Sequence, residues 1–154
     1  ESNSLFYTED ILKQCAAYNV AAIGADYGDG SMQNDTLRMR WGAQRFIVFF
    51  ASDELGQVMR YNPTSGIWVF NRTRNLQNRF LQIKNQLIEF PKFSMFKPFS
   101  DMITCVYIEY SKDERKFFYD HDGDNEPDDF LHSWNYAEMV AHMAGGTIIP
   151  TRMP

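Results

Sequence analysis

Between Asp120 and Asp129 the chain carries six carboxylates (Asp120, Asp122, Asp124, Glu126, Asp128 and Asp129) and then turns abruptly apolar at Phe130-Leu131. So many like charges cannot be buried together without compensation, so the stretch must lie in solvent or around a cation, and a metal site is the first idea to test. Pro127 suits a first helical position and Gly145-Gly146 a stop, which predicts a helix from Pro127 to Ala144. Asp128 and Asp129 then fall in its first turn, where the helix dipole favours acids whether or not they bind anything. Asp129 shares a face with His132 and, one turn on, with Tyr136, while Phe130, Trp134, Ala137 and Ala141 follow the repeat of a buried stripe.

Composition narrows the class. With 154 residues, 44% hydrophobic and 16% aromatic, the chain can bury one substantial core, and a single domain over residues 1–154 is expected. No run approaches the roughly 18 apolar residues of a membrane span, and no basic-then-apolar leader opens the chain, so no membrane partner is expected. Cys15 and Cys105 lack C-x-x-C spacing and read as reduced core residues. The net charge of −5 seems to exclude a nucleic-acid partner, yet the acidic run holds six of the 20 acids, and the remaining 14 face 15 bases. Arg38, Arg40, Arg45, Arg60, Arg72, Arg74 and Arg79 cluster mid-chain. An acidic pocket beside an arginine-bearing surface is what a metal-dependent nuclease requires, and a solvated surface of mixed sign is the alternative.

In chain order, Ser4 or Thr8 can cap a short helix presenting Ile11, Leu12, Cys15 and Ala16 on one face and stopping near Asn19. Val20 to Ala25 reads as a strand buried on both faces, with Asp26 at its carboxyl end, where open α/β sheets place ligand-handling residues. Asp26 is otherwise a turn aspartate. A short segment from Thr36 to Trp41, capped by Asn34 or Asp35, ends at Gly42. Strands follow at 45–50, 57–61 and 67–70, the last two joined by the turn Asn62 to Gly66. Thr73 can cap a helix with Leu76, Phe80, Ile83 and Leu87 on one stripe, and Arg72, Arg74, Arg79 and Lys84 lie around it as candidate phosphate contacts. Phe93, Met95, Phe96 and Phe99 read as an aromatic loop, Asp101 to Tyr110 as a helix capped by Ser100, and Lys116 to Tyr119 as a strand or turn.

Pro127-Asp128-Asp129-Phe130-Leu131-His132-Ser133, followed by Asn135-Tyr136-Ala137, resembles the last acidic motif of the large terminase subunits of tailed bacteriophages, the DNA-packaging motors whose C-terminal domain is an RNase H-like nuclease. The ordered set Ala25-Asp26-Tyr27-Gly28-Asp29-Gly30, Tyr61-Asn62-Pro63, Asn71-Arg72-Thr73, Phe90-Pro91, Asp101, Glu109-Tyr110 and Pro127 to His132 is similar in order and rough spacing to the second half of that domain. The resemblance implies an α/β fold with an RNase H-like mixed sheet and flanking helices. It matches Asp26 to the family's middle acid and Asp128-Asp129 to its final pair, with Asp29 and His132 as possible accessories. His132 either orients an acid or water, or packs the helix. The family's first acid has no match before Asp26, and no G-x-x-x-x-G-K-[ST] ATPase loop is present. The chain is therefore expected to be the C-terminal part of a larger protein, lacking the first strands of its fold and cutting DNA weakly or not at all by itself.

The implied activity is endonucleolytic hydrolysis of concatemeric double-stranded DNA in the host cytoplasm. It would use two Mg²⁺ or Mn²⁺ ions held by Asp26, Asp128 and Asp129. The implied partners are DNA, an ATPase domain of the same polypeptide, the portal and the small terminase subunit. Without cations, three crowded carboxylates should hold at least one pKa above its usual range. Two other readings compete. A calcium loop at Asp120-x-Asp122-x-Asp124 is disfavoured because Gly123 stands at the fourth position and Leu131 at the twelfth. A non-catalytic interaction module, docking other packaging components, would leave the acids merely solvated.

Overall fold

The structure, a computed structural model, describes residues 2–28, 31–53, 58–121 and 128–143. Its elements run α1 (Ser2–Ala17), β1 (Ile23–Asp26), α2 (Ser31–Trp41), β2 (Phe46–Ala51), β3 (Met59–Asn62), β4 (Ile67–Phe70), α3 (Arg72–Lys84), α4 (Phe93–Thr104), β5 (Tyr107–Ser111), β6 (Lys116–Asp120) and α5 (Asp129–Met143). The fold is mixed α/β with flanking helices: one sheet has the order β1-β2-β4-β3, and β5 and β6 form a separate pair. β1 and β2 are parallel, with Ile23 opposite Phe46 and Asp26 opposite Phe49. Four residues join β3 to β4, too few for a crossover, so that pair is a hairpin. The chain divides into two compact units, each drawn from separated segments: Glu1–Phe50, Asn62–Trp68 and the chain from Tyr136 onward in the first, Ala51–Tyr61 and Val69–Asn135 in the second.

In the first unit α1 starts earlier than expected, so Thr8 is a buried residue within the helix instead of its cap, and Ile11 and Ala16 are exposed while Cys15 is buried. The helix ends as the sequence suggests. Asn19 takes a left-handed φ of 49°, the Val20 N–H donates to the Cys15 carbonyl at 2.8 Å and the Asn19 N–H to the Ala16 carbonyl at 3.2 Å, a Schellman closure. The strand expected over 20–25 begins only at Ile23. The reason is Arg45, whose guanidinium donates to the Val20 and Ala21 carbonyls at 2.7 and 2.8 Å and so replaces the ladder there. That guanidinium also lies over the Trp41 ring, 4.6 Å from its centroid. β1 has an outer place in the sheet order, and it is half-buried where burial on both faces was expected. α2 likewise starts at Ser31, placing Asn34 and Asp35 inside it, and stops at Gly42, whose φ of 107° suits only glycine. Glu9 accepts from Arg40 across α1 and α2, which holds the Glu9 carboxyl below its usual range.

In this unit β1 packs closely on α5 at Gly24. A Cβ there would lie 2.9 Å from Val140 Cγ2, 3.1 Å from Phe49 Cε2 and 3.2 Å from Tyr136 Cβ, so the missing side chain is what lets β1 approach α5. Phe49 is fully buried and stacks on Tyr136, with centroids 5.7 Å apart and planes 8° from parallel.

The second unit is built around Leu76, Ile103 and Leu131, with Phe80, Ile83, Phe96, Val106, Tyr119, Phe130 and Trp134 packed against them. α3 is capped by Asn71, not Thr73: the Asn71 side chain accepts from the Arg74 N–H at 2.8 Å, while its own amide donates to the Asp53 carbonyl at 3.1 Å. Asp53 in turn accepts from the Thr73 N–H at 2.9 Å. The helix closes at Gln86, with φ 55° and a Leu87 N–H to Gln82 carbonyl bond of 2.9 Å, which turns Leu87 out to 72% exposure instead of extending the apolar stripe.

Two expectations fail here. The aromatic segment 93–99 is helical and continues to Thr104, because Phe96 and Ile103, seven residues apart, share the face that meets the core, and that packing outweighs Pro98 within the helix. Residues 107–110 are strand, not helix. Tyr107 to Ser111 pair antiparallel with Lys116 to Asp120, as their β-branched and aromatic content favours. On α5 the buried positions are Leu131, Asn135, Met139 and Val140, rotated from the stripe read in the sequence, and Ala137 is exposed. The helix starts at Asp129 and is described to Met143; Pro127 and Gly145-Gly146 lie outside the described residues.

Two stability predictions follow from these contacts. Gly24→Ala should destabilise the protein by about 1–3 kcal/mol through overpacking against Val140 and Phe49, read as a lower urea midpoint. Asn71→Ala should cost about 1–2 kcal/mol through loss of the α3 cap, with the unfolding slope unchanged.

Candidate functional site

Asp26 is the last residue of β1, at the carboxyl end of a strand paired in parallel with β2. Its carboxylate is exposed yet held from both sides: Oδ1 accepts from the Tyr136 hydroxyl at 3.0 Å, and Oδ2 from the Gly28 N–H at 3.0 Å. The second bond is an Asx turn, which brings Gly28 so near that a Cβ there would lie 2.6 Å from Oδ2. The Asp26 carbonyl accepts from the Asn34 side-chain amide at 2.7 Å, so residues from β1, α2 and α5 converge on one aspartate. These groups all belong to the first unit. Asp29, an expected accessory, lies outside the described residues.

The second unit holds Asp128 and Asp129. Asp129 opens α5 and is exposed. Asp128 precedes it, and its carbonyl accepts from the His132 N–H at 3.2 Å. Its side chain is 17% exposed and meets two imidazoles at the same oxygen: His132 Nε2 at 2.8 Å and His121 Nε2 at 3.9 Å from Oδ2. The hydrogen bond from His132 is the main influence on the Asp128 carboxyl and outweighs burial, holding it below the usual aspartate range; His121 adds a smaller pull in the same direction. Crowding was expected to raise at least one of the three carboxyls; Asp128 is lowered, because its nearest partners are imidazoles. The helix spacing predicts His132 beside Asp129, and the structure gives it to Asp128 one position earlier.

Of the expected phosphate contacts, Arg79 is buried and donates to the Gln82 side chain at 2.7 Å, and Arg72 donates to the Tyr119 carbonyl at 3.0 Å. The Arg72 bond ties α3 to β6, the Arg79 bond lies within α3, and Arg74 and Lys84 are exposed. His121 had no sequence signal, since it stands just after β6, seven residues before its aspartate. Tyr136 and Asn34 gave none for Asp26, because 110 and eight residues separate them from it.

No protein-family model, curated protein or solved structure matches the chain.

The donor chemistry of these acids suits a hard divalent cation, since Asp26, Asp128 and Asp129 offer carboxylate oxygens and both Asp26 oxygens keep acceptor capacity beyond their single bonds. Among the described residues, no three His, Cys, Asp or Glu side chains are gathered as a metal centre. Asp122, Asp124 and Glu126 of the acidic run lie outside those residues.

The Asp128 geometry carries a pH prediction. A carboxyl whose folded pKa is depressed adds stability above its unfolded pKa, and that stability is lost as the pH falls through the folded value. The unfolding free energy should therefore drop below about pH 5, and Asp128→Asn or His132→Ala should flatten that part of the curve in urea titrations.

Proposed function

We propose that this chain is part of a metal-dependent endonuclease with an RNase H-like fold, acting on double-stranded DNA in a viral packaging motor. The observation that carries the reading is Asp26, an exposed carboxylate at the carboxyl end of a parallel strand, held by donors from α5 and from its own turn. An acid that only decorates a surface has no need of a tyrosine 110 residues away to fix its orientation. Support also comes from the ordered resemblance of the motifs to terminase nuclease domains and from the mixed α/β architecture with β1 and β2 in parallel.

Asp26 in the first unit and, separately, Asp128 and Asp129 in the second are the carboxylates that would ligate Mg²⁺ or Mn²⁺, which when bound would supply an activated water and neutralise charge at the leaving 3′ oxygen. The chain's own part is to orient Asp26 and to favour the ionised form of Asp128. Asp26 is oriented by Tyr136 and Gly28, and His132 favours the charged form of Asp128. Exposed bases on α3, Arg74 and Lys84 among them, would meet phosphates without reading sequence. In this reading the ATPase domain, portal and small terminase subunit are partners of the parent protein, assembled in the host cytoplasm. No helix among the described residues is long and apolar enough to cross a membrane.

The interaction-module reading has its own observation. Phe93 and Met95 on α4 are 68% and 67% exposed, and Phe117 on β6 is 59% exposed. Apolar side chains this exposed suit contact with a partner.

Mn²⁺ titration separates the two. Under the nuclease reading, excess Mn²⁺ at about 100 times its dissociation constant should stabilise the protein by about 2.7 kcal/mol, raising the melting temperature, and the Asp26→Asn, Asp129→Asn double variant should lose that rise. An equal rise in both proteins would assign the ion to the acidic run, and no rise in either would favour the docking module.

A further inference from the structure

The side chain that reaches Asp26 from farthest along the chain is Tyr136, and its surroundings suit a fixed donor. Its ring is half-buried and stacked nearly parallel on the fully buried Phe49, at 5.7 Å between centroids. Its backbone is set by the approach of Gly24, where a Cβ would come within 3.2 Å of Tyr136 Cβ. Ring and backbone are thus both constrained before the hydroxyl is considered, and that hydroxyl donates to Asp26 Oδ1 at 3.0 Å. The Gly28 N–H holds Oδ2 at 3.0 Å, so each carboxylate oxygen has one bond to a neutral donor and retains a lone pair. A lysine or arginine in place of the tyrosine would neutralise the carboxylate and repel a cation. A phenol orients it and leaves its charge available.

We propose that Tyr136 is a positioning residue for Asp26, holding the carboxylate in the orientation in which it ligates a divalent cation. The assignment rests on the reading of Asp26 as a cation ligand and extends it to a residue outside the acidic motifs. Groups that orient metal ligands commonly set affinity, and their loss costs about 10–100-fold in binding.

Tyr136→Phe tests this because it removes only the hydroxyl and keeps the ring stacked on Phe49. Mn²⁺ binding by the full chain would be followed by the loss of the free-ion paramagnetic resonance signal, in the wild type, Tyr136→Phe and Asp26→Asn. The melting temperature and near-ultraviolet circular dichroism would be recorded without metal. The expected result is that Tyr136→Phe weakens Mn²⁺ binding by about tenfold or more while the metal-free protein keeps its spectrum, and that Asp26→Asn removes the same binding event. A purely structural tyrosine would change the metal-free properties and leave Mn²⁺ affinity alone. Binding lost in Asp26→Asn and unchanged in Tyr136→Phe overturns the role of Tyr136 while sparing that of Asp26. Wild-type binding that Asp26→Asn leaves unaltered, or no binding at all, overturns both. Should Tyr136→Phe lose its native spectrum, O-methyltyrosine at position 136, which keeps the ring and its oxygen but cannot donate, replaces it: Mn²⁺ binding weakened about tenfold or more in a natively folded protein supports the proposal, and unchanged binding overturns it.

Discussion

The contact on which the first unit depends is the meeting of β1 and α5 at Gly24. Strand and helix approach there more closely than any side chain permits, with Val140, Phe49 and Tyr136 all within 3.2 Å of where a Cβ would stand. Dense packing of this kind sets positions to within a few tenths of an ångström, because interiors have little free volume through which to relax. The Tyr136 ring is consequently placed, Phe49 covers its face, and the hydroxyl finds Asp26 two residues beyond Gly24. An apolar contact in the core thus determines the orientation of an exposed carboxylate.

The second unit uses polar bonds to similar effect. Asn71, buried at 6% exposure, joins the start of α3 to residues 53 and 58, donating through its own N–H to Val58 and through its side chain to Asp53. Asn75, one turn on and also buried, donates to the Asn71 and Val58 carbonyls. Each buried amide thereby replaces the water it gave up, which makes the burial tolerable. Arg72 adds a further bond from the start of α3, to the Tyr119 carbonyl of β6, while Arg79 donates within α3 to Gln82. A guanidinium is equally suited to a backbone carbonyl, as Arg72 is at Tyr119, or to a side-chain amide oxygen, as Arg79 is at Gln82.

The two acidic places differ in electrostatics. Asp26 is exposed and bonded to neutral donors. Asp128 is largely enclosed and shares one oxygen between His132 and His121, so its charge is favoured by groups that can themselves become cations. An acid of the first kind keeps its charge for a ligand, whereas an acid of the second kind already has partners. Residue type alone cannot separate them, since both are aspartates beside the start or end of a regular element.

What the sequence determined by itself was local. The stop of α1 at Asn19, that of α2 at Gly42, the turn at Asn62 to Gly66, strands β2, β3 and β4, and the place of Asp26 at the end of a strand all follow from side-chain and backbone preferences within a few residues. Tertiary structure decided the rest. Arg45 shortened β1 by satisfying carbonyls from another segment, and core packing of Phe96 and Ile103 made a helix of an aromatic stretch containing Pro98. The hairpin partner of residues 107–111 made them a strand, and the buried face of α5 turned toward Leu131 and Asn135. The same division runs through the candidate site. Its carboxylates were legible because acids stand out in a sequence, but the roles of Tyr136 and His121 were not: a contact across 110 residues leaves no periodicity to read, and only the folded chain brings the Tyr136 hydroxyl to 3.0 Å from Asp26 and the His121 ring to 3.9 Å from Asp128.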